Sequence, residues 1–330
     1  MTASDVMPDI PLYQPDSLED ALELLARVDG AWLLAGGQDT CGWLKDRAKS
    51  PTLLIDLGRI ESLAGIQVDA TTQALGIGAM TTLTDIVQHP IIRERYSLLS
   101  DAAARVASPQ IRNAGTLGGN LCQDARCWYY RRGLDCYRAG GNLCYADSPQ
   151  GMNREHCLFG ASRCVAVTPS DTASALVALD ATLLITGTGK SRRMRAQDFF
   201  LGPDQDITHM VRLDPNEILT GIELPASWAN ARFRFEKIAD RKVWDFALVS
   251  LASAFKLEGN RIVDVRLVYG GVACVPYRSP ALEAALRGKP FAEATAQDAA
   301  PIAIAGAEPL NFNGFKLSLM KNLLLRAMRD

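Results

Sequence analysis

Six of the chain's eight cysteines lie within one short stretch, and the stretch begins just after a glycine-bearing segment, Thr116-Leu117-Gly118-Gly119-Asn120. No cysteine occurs between Cys164 and Cys274, so the thiols form a local feature. We call residues 122–166 the cysteine segment. This adjacency predicts a metal or iron-sulfur site beside a phosphate-binding loop. The six thiols are those of Cys122, Cys127, Cys136, Cys144, Cys157 and Cys164.

Length and charge narrow the class of protein. A chain of 330 residues is long enough for two domains. Its net charge of -2 gives no reason to expect nucleic acid or an anionic membrane as a partner. Residues 1–12 lack the basic start and apolar run of a secretory signal, and no apolar run is long enough to span a bilayer. We therefore expect a cytoplasmic protein, in which clustered cysteines are metal or cluster ligands and not disulfides.

Hydrophobic periodicity predicts two regions of different character. The first alternates strands (31–35, 52–57, 75–78, 182–186) with helices (17–27, 82–87, 92–106), as in α/β or α+β layers. From about residue 217 the pattern changes to four antiparallel strands (218–224, 232–237, 247–257, 262–269) and then three helices (279–286, 293–305, 315–328). This predicts a separate α+β domain, with its boundary between residues 192 and 217.

Two glycine-bearing segments indicate a bound phosphate group. Leu33-Leu34-Ala35-Gly36-Gly37-Gln38-Asp39 joins a predicted strand to a predicted helix, where exposed backbone amides and a helix N-terminus favour an anion. Taken alone, such a pair of glycines is more often a plain turn. A second segment of the same character, residues 115–120, favours a diphosphate cofactor, and the absence of G-x-G-x-x-G spacing indicates a fold other than Rossmann.

The cysteine spacing is unlike that of zinc fingers or ribbons, because it contains no C-x2-C pair. Widely spaced thiolates on a loop are compatible with an iron-sulfur cluster, which needs four cysteines that converge in space. Arginines lie among them and would raise the reduction potential of an anionic cluster, although each one singly is expected to be solvated. These are Arg126, Arg131, Arg132, Arg138, Arg154 and Arg163.

Taken together, these motifs resemble a known family. The two glycine segments, Pro169-Ser170-Asp171, and Lys237 followed by Asp245-Phe246-Ala247 are similar to the FAD-binding medium subunit of the xanthine dehydrogenase, or molybdenum hydroxylase, family. The resemblance covers nearly the whole chain. It implies an α+β fold: a two-part FAD-binding domain of the vanillyl-alcohol-oxidase/PCMH type over residues 1–215, and a CO-dehydrogenase-flavoprotein-like domain over residues 216–330.

The cysteine segment resembles an insertion found in a subset of that family. The subset comprises the β subunit of 4-hydroxybenzoyl-CoA reductase and the FAD subunit of bacterial aromatic aldehyde oxidoreductases, whose inserted loop carries a 4Fe-4S cluster. The resemblance implies Cys127, Cys144 and Cys164 as ligands. The oxidoreductase-like alignment assigns Cys136 as the fourth ligand, which we prefer, and the reductase-like alignment assigns Cys157.

For the flavin, the resemblance implies that backbone amides of both glycine segments grip the FAD diphosphate, while Asp171 and Lys237 contact other parts of the cofactor. Gln38 stands where the family usually has threonine or serine, which places any hydroxyl contact there in doubt. The implied FAD-binding residues are Leu34, Ala35, Gly36, Gly37, Gln38, Asp39, Thr116, Gly118, Gly119, Asn120, Asp171 and Lys237.

The implied function is electron transfer through FAD and one 4Fe-4S cluster, with no catalytic residue on this chain. The implied partners are a large subunit with the molybdenum cofactor and a small subunit with two 2Fe-2S clusters, as a heterotrimer or a dimer of heterotrimers. An external carrier such as ferredoxin would complete the path. The alternatives are a stand-alone FAD oxidoreductase with a structural zinc loop, and a metal-binding scaffold without flavin.

Overall fold

The chain begins with a small parallel sheet. The computed structural model describes residues 7–329, and the sheet has the order β1-β3-β2 with both strand pairs parallel. Its strands are β1 (Leu12–Tyr13), β2 (Ala31–Leu34) and β3 (Leu53–Asp56), and its helices are α1 (Leu18–Arg27) and α2 (Thr40–Lys45). Ser17 caps α1 by accepting a hydrogen bond from the Asp20 amide at 3.1 Å. The apolar face of α1 packs on Ile55 of β3. The first glycine segment runs on from the end of β2, so this sheet fixes its position.

A five-stranded antiparallel sheet with the order β4-β5-β8-β6-β7 forms the second layer. Its strands are β4 (Ile66–Val68), β5 (Leu75–Gly78), β6 (Thr182–Gly187), β7 (Lys190–Arg195) and β8 (Glu217–Leu224). The helices of this part are α3 (Leu83–Gln88), α4 (Pro90–Arg95), α5 (Ser97–Ala104), α6 (Pro109–Ala114), α7 (Leu117–Cys122), α8 (Trp128–Arg131), α9 (Asp171–Ala178) and α10 (Ala196–Phe199). Single 3-10 turns occupy Leu57–Arg59, Glu61–Leu63, Tyr137–Ala139 and Ala226–Trp228.

Two predictions are corrected here. Strand β8, expected to open the C-terminal sheet, pairs with β5 and β6, so the five-stranded sheet closes only at Leu224. Periodicity identified the strand but could not identify its partners, because pairing is a long-range contact. The single helix expected over residues 92–106 is two helices, α4 and α5, since Tyr96 leaves helical geometry with φ -141° and ψ 47°.

The C-terminal part is a four-stranded antiparallel sheet, ordered β12-β11-β10-β9, with helices on one face. The strands are β9 (Arg232–Ile238), β10 (Val249–Glu258), β11 (Arg261–Gly270) and β12 (Tyr277–Arg278), and the helices are α11 (Pro280–Leu286), α12 (Glu293–Ala303) and α13 (Phe315–Ala327). In β10, Leu251 and Phe255 share a core with these helices, whereas Ala252 and Ala254 join the core that contains α5 and α9. Covering both faces buries Val249–Phe255 completely and fixes the two parts of the chain against each other.

The cysteine segment has little regular structure and packs against both parts. On one side its arginines reach Asp39 in the first glycine segment. On the other side Asn313 donates hydrogen bonds to the carbonyls of His156 and Cys157 at 3.1 and 2.9 Å. The buried Lys316 ammonium donates to the carbonyls of His156 and Gly271 at 2.9 and 2.7 Å. Contacts with the N-terminal part and with the C-terminal part of the chain therefore hold the segment in place.

Candidate functional site

The first glycine segment is a tight turn that only glycine can make. Gly36 and Gly37 have φ of +73° and +71°, the left-handed region that side chains disfavour. A Cβ on Gly36 would lie 2.0 Å from the Ala114 carbonyl oxygen at the end of α6. The backbone N–H groups from Gly36 to Asp39 have no acceptor within residues 7–329. Such a row of free amides is a ready site for an anion.

The second glycine segment is the first turn of α7 and not an open loop. Thr116 caps this helix, and its hydroxyl oxygen accepts from the Gly119 amide at 3.1 Å. The amides of Leu117, Gly118 and Asn120 also donate to protein carbonyls, at 2.8 to 2.9 Å. A Cβ on Gly119 would lie 3.0 Å from the Ala35 carbonyl oxygen. The role of these glycines is thus close approach: the two segments pack backbone against backbone.

A cleft of about 590 Å³ lies between the two segments. Its lining is mostly apolar with polar groups at one side, the usual character of a cofactor site. Trp32, Trp244 and Phe246 add aromatic surface. Of the predicted flavin residues, Leu34, Gly36, Gly37 and Lys237 lie outside the lining. The predicted residues that do line the cleft are Ala35, Gln38, Asp39, Thr116, Gly118, Gly119, Asn120 and Asp171.

Asn120 and Asp171 lie on either side of the cysteine segment in sequence, and their contacts bring together the parts of the site that precede and follow it. The Asn120 side-chain oxygen accepts from the hydroxyls of Ser170 and Thr172, both at 2.6 Å. Asp171, in the first turn of α9, is paired with Lys237 of β9 at 2.5 Å. Burial raises the pKa of Asp171, against the opposing effect of Lys237. Lys237 also donates to the Asp245 carbonyl at 2.7 Å, so the C-terminal part closes one side of the cleft.

Asp39 is fully occupied by protein donors. Its carboxylate pairs with Arg126 at 2.7 Å and with Arg131, and it accepts from the Trp43 indole at 3.1 Å. Burial alone would raise the pKa of Asp39, but the two guanidinium groups outweigh it and lower the pKa. The expectation that each arginine of the cysteine segment is solvated is wrong for Arg131 and Arg138, which are buried.

The cysteines lie in two adjoining apolar clusters, which are linked by a hydrogen bond from the Cys274 thiol to the Cys164 carbonyl at 3.7 Å. Burial, with smaller contributions from the nearby Cys164 and Cys144, raises the pKa of Cys127 to about 11. Cys136 and Cys164 share a core with Trp43 and Tyr130. Cys157 and Cys274 share the other cluster, against which Cys144 packs, and the neighbouring Cys157 thiol, together with burial, raises the pKa of Cys274. Within residues 7–329, no three His, Cys, Asp or Glu side chains converge closely enough to hold a single metal ion.

His156 is a neighbour of the cysteines that the sequence did not single out. Its Nε2 lies 3.3 Å from the Cys127 sulfur, and its buried Nδ1 has no partner among the described residues. Burial, together with Lys316, lowers the pKa of His156 to about 4, so the ring is neutral near pH 7. A neutral ring with an unpartnered Nδ1 is best accommodated with its proton on Nε2, because a buried N–H without an acceptor is costly. That tautomer points its N–H at the Cys127 sulfur.

Two family models cover almost the entire chain. Residues 7–227 match the FAD binding domain in molybdopterin dehydrogenase, and residues 234–330 match the CO dehydrogenase flavoprotein C-terminal domain. The FAD-binding subunit of aldehyde oxidoreductase from Escherichia coli K12 is 34% identical over 310 residues, which is 92% of each chain. The chain belongs to the FAD-binding subunits of the molybdenum hydroxylase family.

Solved structures of family members have the same fold. Carbon monoxide dehydrogenase from Hydrogenophaga pseudoflava, lacking the Mo-pyranopterin moiety of its cofactor, contains a chain that matches with a TM-score of 0.76 and 29% identity, covering 98% of this chain and 97% of that one. Quinoline 2-oxidoreductase from Pseudomonas putida 86 contains one that matches with a TM-score of 0.76 and 27% identity, covering 98% and 96%. The predicted α+β fold class is confirmed.

FAD as the cofactor and membership of an oxidoreductase family are likewise confirmed. The 4Fe-4S cluster, membership of the 4Fe-4S-containing subset and the individual cofactor contacts stay predictions. No helix within residues 7–329 is long and apolar enough to cross a bilayer.

Proposed function

We propose that this FAD-binding subunit is an electron-transfer subunit that holds one FAD and one 4Fe-4S cluster and passes electrons between a partner's 2Fe-2S clusters and an external carrier. The observation that carries the proposal is the adjacency of two cavities. The flavin cleft and a second cavity of about 200 Å³ share Arg126, Asp171 and Phe246 in their walls, and the second cavity is also lined by Cys127 and His156. A centre held in part by Cys127 would therefore lie beside the flavin.

The residues present suit FAD. Of the free amides in the first segment, those of Gln38 and Asp39 belong to residues that line the cleft and would bind the diphosphate, with the turn at Gly36 and Gly37 behind them. The close contact of Gly119 with Ala35 brings the second segment against the same side of the cleft. Asp171, held by Lys237, would bind a polar group of the cofactor at the other side of the cleft. A bound flavin supplies exchange of one or two electrons, which links one-electron clusters to other carriers. The protein's task is to hold it and to limit its exposure to water.

The cluster would be held by Cys127, Cys136, Cys144 and Cys164. A 4Fe-4S cluster binds each thiolate through a different iron, so its ligands need not converge on one point as the ligands of a single zinc ion must. The interaction of Cys127, Cys144 and Cys164 with one another supports the common set. Cys136 is favoured as the fourth ligand because it shares an apolar cluster with Cys164, whereas Cys157 shares a different one with Cys274.

Residues 7–227 and 234–330, as the family models divide them, are proposed as the two domains, with the cysteine segment inserted in the first. We further propose a large partner with the molybdenum cofactor and a small partner with two 2Fe-2S clusters, as a heterotrimer or a dimer of heterotrimers. The similarity to a chain named the medium chain of carbon monoxide dehydrogenase, from Hydrogenophaga pseudoflava, supports such an assembly. An external carrier such as ferredoxin and a cytoplasmic location complete the proposal.

Anaerobic purification of the tagged chain from its native cells tests the assembly. The proposal predicts co-elution of two further subunits, one containing molybdenum and one showing 2Fe-2S signals in electron paramagnetic resonance (EPR) spectra. Elution of this chain alone, with turnover of a small substrate by the isolated flavoprotein and zinc in elemental analysis, would contradict it in favour of the stand-alone enzyme.

A further inference from the structure

The first glycine segment and the cysteine segment are joined by a partly buried ionic network, although some 90 residues separate them in sequence. The Asp39 carboxylate lies between Arg126 and Arg131, and it also accepts from the Asp124 amide at 3.2 Å. Three of its four donors thus come from the cysteine segment. The fourth, the Trp43 indole, belongs to α2, which follows the glycine turn.

Arg131 is built into this network. Its side chain is 9% exposed, its guanidinium group stacks 3.5 Å from the centre of the Trp43 ring, and its Nε donates to the Ala125 carbonyl. Stacking and a planar array of donors are features that arginine offers and lysine does not. The last of the free amides from Gly36 to Asp39 belongs to Asp39, whose carboxylate is paired with Arg131. Their orientation therefore depends on a side chain outside the glycine segment.

A second carboxylate reinforces the junction. Asp124 pairs with Lys49 at 2.6 Å and with Arg138 at 3.4 Å, and it accepts from the Tyr130 hydroxyl at 3.3 Å. Lys49 itself lies over the Trp43 ring, 4.8 Å from its centre. Trp43 therefore contacts both parts of the network: its indole N–H donates to Asp39, and its ring lies against Lys49, the partner of Asp124. Such a network has one low-energy arrangement, because every buried charge in it needs its partner.

We propose that Arg131, assisted by Arg126, is a positioning residue for flavin binding, so that FAD affinity depends on the folded cysteine segment. The inference rests on the proposed function insofar as the first glycine segment receives the diphosphate. It goes further in making the cysteine segment part of the flavin site, whatever metal the segment carries. By linkage, FAD must in turn stabilise the cysteine segment.

The main test compares deflavinated full-length Arg131→Gln and Arg132→Gln. Arg132 is exposed and adjacent in sequence, which makes it a matched control. We expect Arg131→Gln to weaken FAD binding, measured by calorimetry, by about tenfold, within the usual range for coupled sites. Arg132→Gln should bind as the original protein does. Arg131→Lys, which keeps the charge but not the stack, should restore part of the affinity. Unchanged affinity in a folded Arg131→Gln protein would overturn the proposal.

Asp39→Asn separates positioning from simple charge attraction. If the arginines acted only by attracting the diphosphate, removal of the Asp39 charge would strengthen FAD binding. Positioning predicts weaker binding, because Arg126 and Arg131 lose their common partner. Tighter binding by Asp39→Asn would therefore contradict the proposal.

Hydrogen exchange gives a readout that does not require flavin. In the deflavinated protein, Arg131→Gln should speed exchange of the Cys41 and Gly42 amides, which donate to the carbonyls of Gly37 and Asp39, and Arg132→Gln should not. Equal exchange in both variants would overturn the positioning role. Failure of the original protein to bind FAD, with this exchange difference present, would contradict the proposed function and leave the network supported. If Arg131→Gln does not fold, the less buried Arg126→Gln takes its place in every comparison.

Discussion

Lys237 Nζ lies 2.5 Å from Asp171 Oδ2, and both side chains are only 6% exposed. The pair joins α9 of the FAD-binding part to β9 of the C-terminal part, beside the flavin cleft. Lys237 also donates to the carbonyls of Arg105 and Asp245. One ammonium group therefore holds three separate parts of the chain together at the cofactor site.

Replacing Lys237 by methionine should destabilise the protein and impair flavin retention. Removal of one partner from a buried ion pair leaves the other charge unpaired, which costs about 3–5 kcal/mol of unfolding free energy. Thermal melting and the FAD content of the purified variant measure the two effects. Lys242→Met, at an exposed position in the same region, is the control and should match the original protein. Equal FAD content in both variants would show that the pair has no role in flavin binding.

Gly36→Ala should abolish tight FAD binding. The added methyl group would lie 2.0 Å from the Ala114 carbonyl oxygen, and the turn would have to open. Gly189→Ala is a control for backbone strain alone, since Gly189 has φ +70° and no atom within 4 Å of the added Cβ. The ratio of flavin to protein absorbance should fall for Gly36→Ala only. Loss of flavin from both variants would place the cause in general destabilisation.

Separate Cys136→Ser and Cys157→Ser variants should identify the fourth ligand. Since Cys157 packs with Cys274 and not with Cys136 and Cys164, its replacement is expected to leave the iron content unchanged. Cys136→Ser should lower the iron content or alter the EPR signal of the cluster. Iron analysis after anaerobic purification makes the comparison. The opposite result would assign Cys157.

Acid should weaken the five-stranded sheet at Glu217. Hydrogen bonds from Arg192, at 2.9 and 2.6 Å, outweigh burial and lower the pKa of Glu217 to about 2. Because this folded-state pKa lies below the ordinary value near 4.5, the stabilisation is present above pH 4.5 and is lost as the pH falls from about 4.5 to about 2. The melting temperature of Glu217→Gln should therefore be lower near pH 6, and its difference from the original protein should shrink toward pH 2. A constant difference would contradict this.

Local features were predictable from the sequence, and long-range partners were not. Hydrophobic periodicity and the positions of glycines located most helices and strands, and the motifs identified the FAD-binding family. Strand β8 was assigned to the wrong sheet because its pattern is the same in either. Arg131 looked like a surface cation because its partner, Asp39, is distant in the chain. His156 had no role assigned from the sequence, and only the folded chain brings it to Cys127.

The most direct test of the proposed two-cofactor subunit is the composition of the chain purified under strict anaerobic conditions. We expect one FAD together with iron and acid-labile sulfide in the ratio of a single 4Fe-4S cluster. Reduction should produce the EPR spectrum of such a cluster. Flavin absorbance without iron or sulfide would contradict the proposal that this subunit carries a 4Fe-4S cluster beside its FAD.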